Sequence, residues 1–256
     1  MNILDTIVAY KRTEVLKRKR ERPLSELVAM PYYRREPNAI LPGEKPGFIA
    51  EFKRKSPSKG FINKAADPVE VARGYVSAGA SAMSILTDQK FFGGSSADLT
   101  LVRSAQPDLP LLRKDFIIDP YQLHEASAMG ADVILLIAAI LEKHEVAELS
   151  REARSLGLHI LFEVHGEEEL EKYDSSIEYV GVNNRDLKTF RVDTRRSLDL
   201  IGKMPPGVVA VSESGISSRE EITILSEAGF RLFLMGERFM KQADPGAACK
   251  TFIHQI

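Results

Sequence analysis

In this sequence, residues able to do chemistry follow directly on short apolar runs. Glu51 and Lys53 end the run FIAEFK, and at a spacing of two both side chains leave the same face of an extended strand. Lys114, followed by Asp115, ends PLLRKD; Glu163 comes late in LHILFEV; Asn183 and Asn184 follow EYVGV; Glu213 ends VVAVSE. Ammonium groups and carboxylates gathered at one place can polarise a carbonyl and carry protons to and from it. Any one of them, taken alone, reads equally well as an ion pair at a strand end. Their repetition after one apolar run after another favours a shared polar pocket.

The elements that must position these groups are regular. Apolar runs stand at 48–53, 82–87, 110–115, 132–137, 158–164, 178–183, 208–213 and 231–236, each short enough for a strand buried on both faces. Amphipathic segments of helical spacing lie between them, among them PVEVARGYVSAGA and SREEITILSEAGF. Asp67-Pro68 and Asp119-Pro120 read as helix starts, an N-cap followed by proline in the first turn. Gly79, Gly130, Gly157 and Gly229 read as helix ends just ahead of the next strand. Eight strand–helix repeats with short links require parallel strands and right-handed crossovers, and at this length they predict a closed (β/α)8 barrel. The rival, an open doubly wound sheet, usually carries GxGxxG after its first strand, and that motif is absent.

In such a barrel, catalytic groups stand at the C-terminal ends of the strands. The seventh and eighth runs end in SESGI (212–216) and LMGE (234–237), where barrels often hold phosphate on backbone N–H groups. Ser56, in the first loop, can add a hydroxyl. That loop, 54–64, is basic and contains Pro57 and Gly60, and it is expected to be a mobile lid.

Ahead of the barrel, residues 1–30 carry helical spacing in Ile3, Leu4, Ile7 and Val8, and 31–47 read as a connector rich in Pro, Gly and charge. The expected organisation is therefore an α/β fold: a helical extension over 1–47 packed on a barrel over 48–256, one domain overall. The basic cluster of Lys11, Arg12 and Lys17 to Arg20, broken by Glu14 and Glu21, is expected to be a solvated helix face.

The chain has 256 residues, a formal net charge of −1 and one cysteine, Cys249. No internal disulfide can form, which suits a reducing cytoplasm. No apolar run is long enough to span a bilayer, and the first residues lack a signal-peptide pattern. Near-neutral charge argues against nucleic acid as a partner. The five histidines (124, 144, 159, 165, 254) show neither HxH nor HExxH spacing, so no metal site is expected, and most read as helix-surface or strand-flank residues.

On this reading the sequence resembles the indole-3-glycerol-phosphate synthase family along nearly its whole length. The resemblance rests on ILDTIVAYKRTEV, PLSEL, IAEFKRKSPSKG, SILTDQKFFGGS, LLRKDFIIDPYQ, LLIAAIL, FEVH, GVNNRDLKTF, VSESGI and LFLMGERFM, in that order. It implies a TIM barrel with an N-terminal helical extension and a reaction of tryptophan biosynthesis. In that reaction 1-(2-carboxyphenylamino)-1-deoxyribulose 5-phosphate closes its pyrrole ring with loss of carbon dioxide and water. No cofactor is implied. Lys114 matches the general acid, Glu163 its partner in dehydration, and Lys53 the lysine near the substrate carboxylate. Glu51, Asn184 and Glu213 match residues that orient the lysines and bind sugar hydroxyls. Ser56, Ser214, Gly215, Gly236 and Glu237 match phosphate-binding positions, and Arg185 is a further binding candidate. Leu86, Phe92, Phe116, Leu135 and Leu187 are candidates for the apolar wall around the benzene ring.

One departure stands in the eighth loop, where Arg238 follows Gly236-Glu237 in place of the family's small residue. The length leaves no room for the isomerase unit fused to some relatives, which implies a monofunctional form. The expected partner is a small phosphorylated substrate, with neither nucleic acid nor membrane. A monomer is the simplest state, and contacts with other enzymes of the pathway are not readable from the residues. The rival functions are another phosphosugar barrel, such as phosphoribosylanthranilate isomerase, and a silent barrel kept as a binding subunit. The two strand-end lysines with Glu163 speak against both.

Overall fold

The computed structural model describes residues 3–186 and 191–256. Eight parallel strands close into a barrel: β1 (Gly47–Phe52), β2 (Ala82–Leu86), β3 (Leu111–Lys114), β4 (Val133–Ile137), β5 (His159–Val164), β6 (Tyr179–Asn183), β7 (Val209–Glu213) and β8 (Leu232–Met235). Each pairs with its sequence neighbours, and β1 closes the ring through Ala50 opposite Met235. All eight expected runs are strands, and the expected polar residues stand at their C-terminal ends.

The local signals do the work assigned to them. The Asp67 carboxylate accepts from the N–H groups of Val69 and Glu70, with Pro68 in the first turn of helix Pro68–Ala78. Asp119 likewise accepts from the Tyr121 N–H at 2.9 Å. Gly79, Gly130, Gly157 and Gly229 all take positive φ, which lets the chain turn out of a helix without a Cβ clash.

Helix α1 (Ile3–Glu21) lies at the C-terminal mouth of the barrel, and a short α2 (Leu24–Val28) follows after Pro23. The buried stripe of α1 is Leu4, Ile7, Lys11 and Val15. Lys11 departs from the expected solvated basic face, to which Arg12, Lys17, Lys19 and Arg20 conform. Its side chain is 0% exposed, and its ammonium stands 2.7 Å from Glu14, 2.8 Å from Asp88 and 2.8 Å from Asp115. Carboxylates supplied after β2 and β3 compensate the burial of that charge. Lys19 and Arg18 also dock, on Asp119 and on Glu14 and Glu125, whereas Lys17 stays in solvent beside Glu21.

The connector is likewise more than a link. Ile40 is buried within the barrel's inner cluster. Its backbone N–H donates to Tyr179 Oη (2.9 Å), and that hydroxyl donates to the Ile40 carbonyl (3.1 Å), at the start of β6. Arg35 and the Asn38 N–H both bond Asp132, just ahead of β4. The extension thus runs from the mouth to the floor of the barrel, and Ile40 caps the floor.

Candidate active site

The strand ends converge. Lys114, leaving β3, donates to Glu163 of β5 (2.9 Å) and to Glu213 of β7 (3.2 Å). Across the mouth, Lys53 donates to Glu51 of β1 (2.6 Å). Burial alone would lower the pKa of Lys114, but Glu163, Glu213 and Glu51 together outweigh it and hold the ammonium well above its ordinary value. The two carboxylates facing Lys114 divide the burden unequally. Burial penalises Glu163, yet Lys114 and His165 pull its pKa down to about 2. For Glu213, burial and the repulsion of Glu163 and Glu51 prevail over Lys114, and its pKa rises to about 7. One ammonium between two buried carboxylates fully satisfies only one of them.

His165, the residue after β5, faces this cluster. Its Nε2 lies 3.5 Å from Glu163 Oε1 and its Nδ1 3.4 Å from Glu169 Oε2. Burial works against its charge, but the adjacent carboxylates of Glu169 and Glu163 raise its pKa. The sequence reading treats it as one histidine among five. Its place directly after the strand that carries Glu163 is the signal that singles it out.

Of the two asparagines, Asn183 lines the mouth. Asn184 is fully buried behind it: its side-chain amide donates to Ser212 Oγ (3.1 Å) and the Ser214 carbonyl (3.2 Å), while its oxygen accepts from Ser197. The expected contact of Asn184 with sugar hydroxyls gives way to a role in bracing the turn after β7. At that turn, Ser214 (φ 66°) and Gly215 (φ 79°) are both left-handed, a costly arrangement for serine of the kind that gathers at functional sites.

Ser56 Oγ is buried in the mouth with no hydrogen-bond partner among the described residues, as a hydroxyl reserved for a ligand would be. Gly236 and Glu237 follow the neighbouring strand, β8. The Glu237 carboxylate pairs with Lys59 and stands 3.7 Å from Arg185, so it gathers cations, and only its backbone can face an anion. Arg238 donates to the Ser217 carbonyl (2.6 Å) and stacks over Phe252, 4.7 Å from the ring centre. It ties the loop after β8 to the loop after β7.

The first loop is a formed hairpin, with Lys55–Ser56 antiparallel to Gly60–Phe61. Arg54 anchors its base on Asp98 and Lys59 reaches across to Glu237. It already spans part of the mouth, where a mobile lid was expected.

Leu86, Phe92, Phe116 and Leu135 all line the mouth and form an apolar wall, with the ring centres of Phe92 and Phe116 5.9 Å apart. Leu187 lies outside the described residues. Ile3, Leu4 and Ile7 of α1 complete the wall, and the sequence reading missed them. Their helical spacing was visible, but nothing local says which surface that stripe covers.

A closed barrel with lysine–carboxylate pairs, an apolar wall and glycine turns after β7 and β8 defines the class of barrel enzymes that act on small phosphorylated molecules. Residues 4–252 match the family model for indole-3-glycerol phosphate synthase. A Bacteroides thetaiotaomicron protein named indole-3-glycerol phosphate synthase is 47% identical, covering 100% of this chain and 99% of its own. One of the same name from Salinibacter ruber is 46% identical over 97% of this chain and 94% of its own. The chain belongs to the indole-3-glycerol phosphate synthase family. Solved structures show the fold in more distant sequences. A 3-hexulose-6-phosphate synthase superposes with a TM-score of 0.65 at 16% identity, covering 83% of this chain and 99% of its own. A tryptophan synthase complex from Pyrococcus furiosus gives 0.59 at 15%, covering 82% and 97%.

Proposed function

We propose that the protein converts 1-(2-carboxyphenylamino)-1-deoxyribulose 5-phosphate to indole-3-glycerol phosphate, with Lys114 as the group that activates the ketone. The observation that carries this reading is the Lys114–Glu163–Glu213 cluster facing an apolar wall, in a chain of this family.

The phosphate sits at the Ser56 hydroxyl and the backbone of Ser214, Gly215, Gly236 and Glu237, with Arg185 and Lys59 supplying positive charge nearby. The benzene ring lies against Phe92, Phe116, Leu86, Leu135 and the α1 residues. Lys53 faces the substrate carboxylate.

The ring carbon bearing that carboxylate attacks the ketone carbon, and the ketone oxygen takes a proton from Lys114 as the bond forms. An ammonium held so strongly charged is a weak acid toward a ketone but a strong one toward a developing alkoxide, so its help is concentrated in the transition state. Carbon dioxide then leaves, and its bonding electrons restore the aromatic ring. No electron-sink cofactor is needed for that step. In the final step the new hydroxyl departs with a proton, and the carbon beside the nitrogen gives one up. Glu163 accepts it. Paired with Lys114 it is a feeble base, and once Lys114 has turned to the substrate its basicity recovers.

The test is direct: purified protein is mixed with the substrate and indole fluorescence is followed. Absence of an indole product at enzyme concentrations comparable to substrate overturns the reading.

A further inference from the structure

We propose that Gly181 and Gly236 are positioning residues, each leaving out a Cβ so that a carboxylate from the next strand can occupy the space. The part of this proposal that concerns turnover rests on the function proposed above.

Gly181 lies within β6, paired with Glu163 on one side and Val211 on the other. It is not among the glycines with positive φ, so its backbone conformation is open to any residue. Space is what excludes a side chain. A Cβ built on Gly181 would collide with Oε1 of Glu213, and it would stand 3.3 Å from the Glu213 carboxyl carbon and 3.1 Å from a methyl of Leu161. The methyl can yield by a few tenths of an ångström. The carboxylate has little freedom, because its other oxygen accepts from Lys114.

Gly236 repeats the arrangement at the next pair of strands round the ring. Its φ of −139° does not call for glycine. A Cβ there would stand 2.6 Å from Glu51 Cβ and 2.9 Å from Glu51 Oε1, the oxygen that accepts from Lys53. The sense around the barrel is also the same. Glu213 of β7 leans over β6, and Glu51 of β1 leans over the end of β8, its neighbour in the closed ring. The sequence reading assigns Gly236 to close approach of phosphate. The first group its missing side chain admits is Glu51.

This arrangement accounts for the crowding of charge that the mouth tolerates. Glu213 faces Lys114 from β3, Glu163 and His165 from the β5 side, and Glu51 from β1. With a methyl at 181, its carboxyl must swing off Lys114 or push the strand aside.

The test is a cycle of four proteins: the parent, Gly181→Ala, Glu213→Ala and the double variant. A seat for Glu213 predicts that Gly181→Ala lowers the melting temperature in the parent but not in the Glu213→Ala background, the non-additivity expected of groups in contact. It also predicts a kcat lower by about tenfold or more in Gly181→Ala, with KM within about threefold, because transition-state stabilisation is lost and substrate contacts are kept. Should Gly181→Ala fail to fold, the double variant is expected to fold; failure of both overturns the proposal. So does an equal melting shift in the two backgrounds, or a Gly181→Ala protein that matches the parent in melting and kcat. If the parent makes no indole product, the functional reading falls, and the melting cycle still decides whether Gly181 seats Glu213.

Discussion

Lys114 carries three carboxylate interactions, and its substitution separates catalysis from binding. Lys114→Ala should lower kcat at least about a hundredfold, the scale of a positioned acid, while KM changes far less. Unchanged kcat with weaker binding would make Lys114 a binding residue only. The carboxylates around it also make stability depend on pH with two opposite signs. Glu213 has its folded pKa raised to about 7, so the native state holds a proton that the unfolded chain, ordinary for glutamate, has lost. Its contribution is full below the ordinary glutamate value and fades as pH rises toward 7. Glu163, held at about 2, contributes above the ordinary value and loses that contribution as pH falls toward 2. Glu213→Gln should therefore flatten the decline in stability between about pH 4.5 and 7 without touching the acid limb. Denaturant titrations across that range decide it: an unaltered slope in the variant removes Glu213 as its source.

At the scale of elements, two pieces cover the mouth and are held by different physics. Helix α1 is pinned by a buried ammonium, whereas the first loop is anchored at its base by Arg54 on Asp98 and beyond that by an exposed ion pair. Lys11→Met keeps much of the shape of the side chain but leaves Asp88 without its cation and Asp115 with Arg113 alone. Asp115 is held below the usual carboxylate range because Lys11 and Arg113 together outweigh its burial. Breaking a buried pair from one side costs about 3–5 kcal/mol, so a clear drop in melting temperature is expected, with weaker substrate binding as the wall of Ile3, Leu4 and Ile7 loosens. A variant as stable as the parent would mean that α1 is held by apolar contacts alone. Lys59 and Glu237 are more than half and nearly a third exposed, a pair worth little to stability. Lys59→Ala should leave melting almost unchanged yet alter the rate of hairpin opening, seen as a changed release phase in pre-steady-state fluorescence. If chemistry, release and turnover all match the parent, the hairpin is a plain connector. Gly60 cannot be stiffened by proline here, because its φ of 67° lies where proline cannot go.

Over the whole molecule, what could be read from the chain was what short stretches encode. The eight strands, their polar ends and the glycine helix stops are local patterns, and they reappear within a residue or two. The gathering of the candidate residues was legible for the same reason: a barrel brings all its strand ends to one rim whatever the side chains do. What escaped was long-range. Lys11 occupies the apolar stripe of α1, four residues after Ile7 and four before Val15, a hint that it was buried. Its partners, however, lie at 88 and 115, and no spacing rule connects them. Ile40 was hidden in a polar connector because its partner is Tyr179. Asn183 and Asn184 are adjacent, and only the alternation at the end of β6 decides which faces the mouth. The glycines at 181 and 236 were invisible as seats, since the atoms they make room for belong to other strands.

The path of the extension from mouth to floor sets an order of events during synthesis. The first forty residues leave the ribosome ahead of everything they pack on. Asp88 and Asp115 must appear before Lys11 has a counter-ion, and Tyr179 before Ile40 has a hydrogen-bond partner, 139 residues later. Until then the stripe of α1 and the connector have nowhere to be buried, and contacts so distant in sequence form slowly. The part of the apolar wall built by Ile3, Leu4 and Ile7 is thus translated before the strands it covers, so a nascent chain arrested before β3 holds these three residues with no closed pocket behind them.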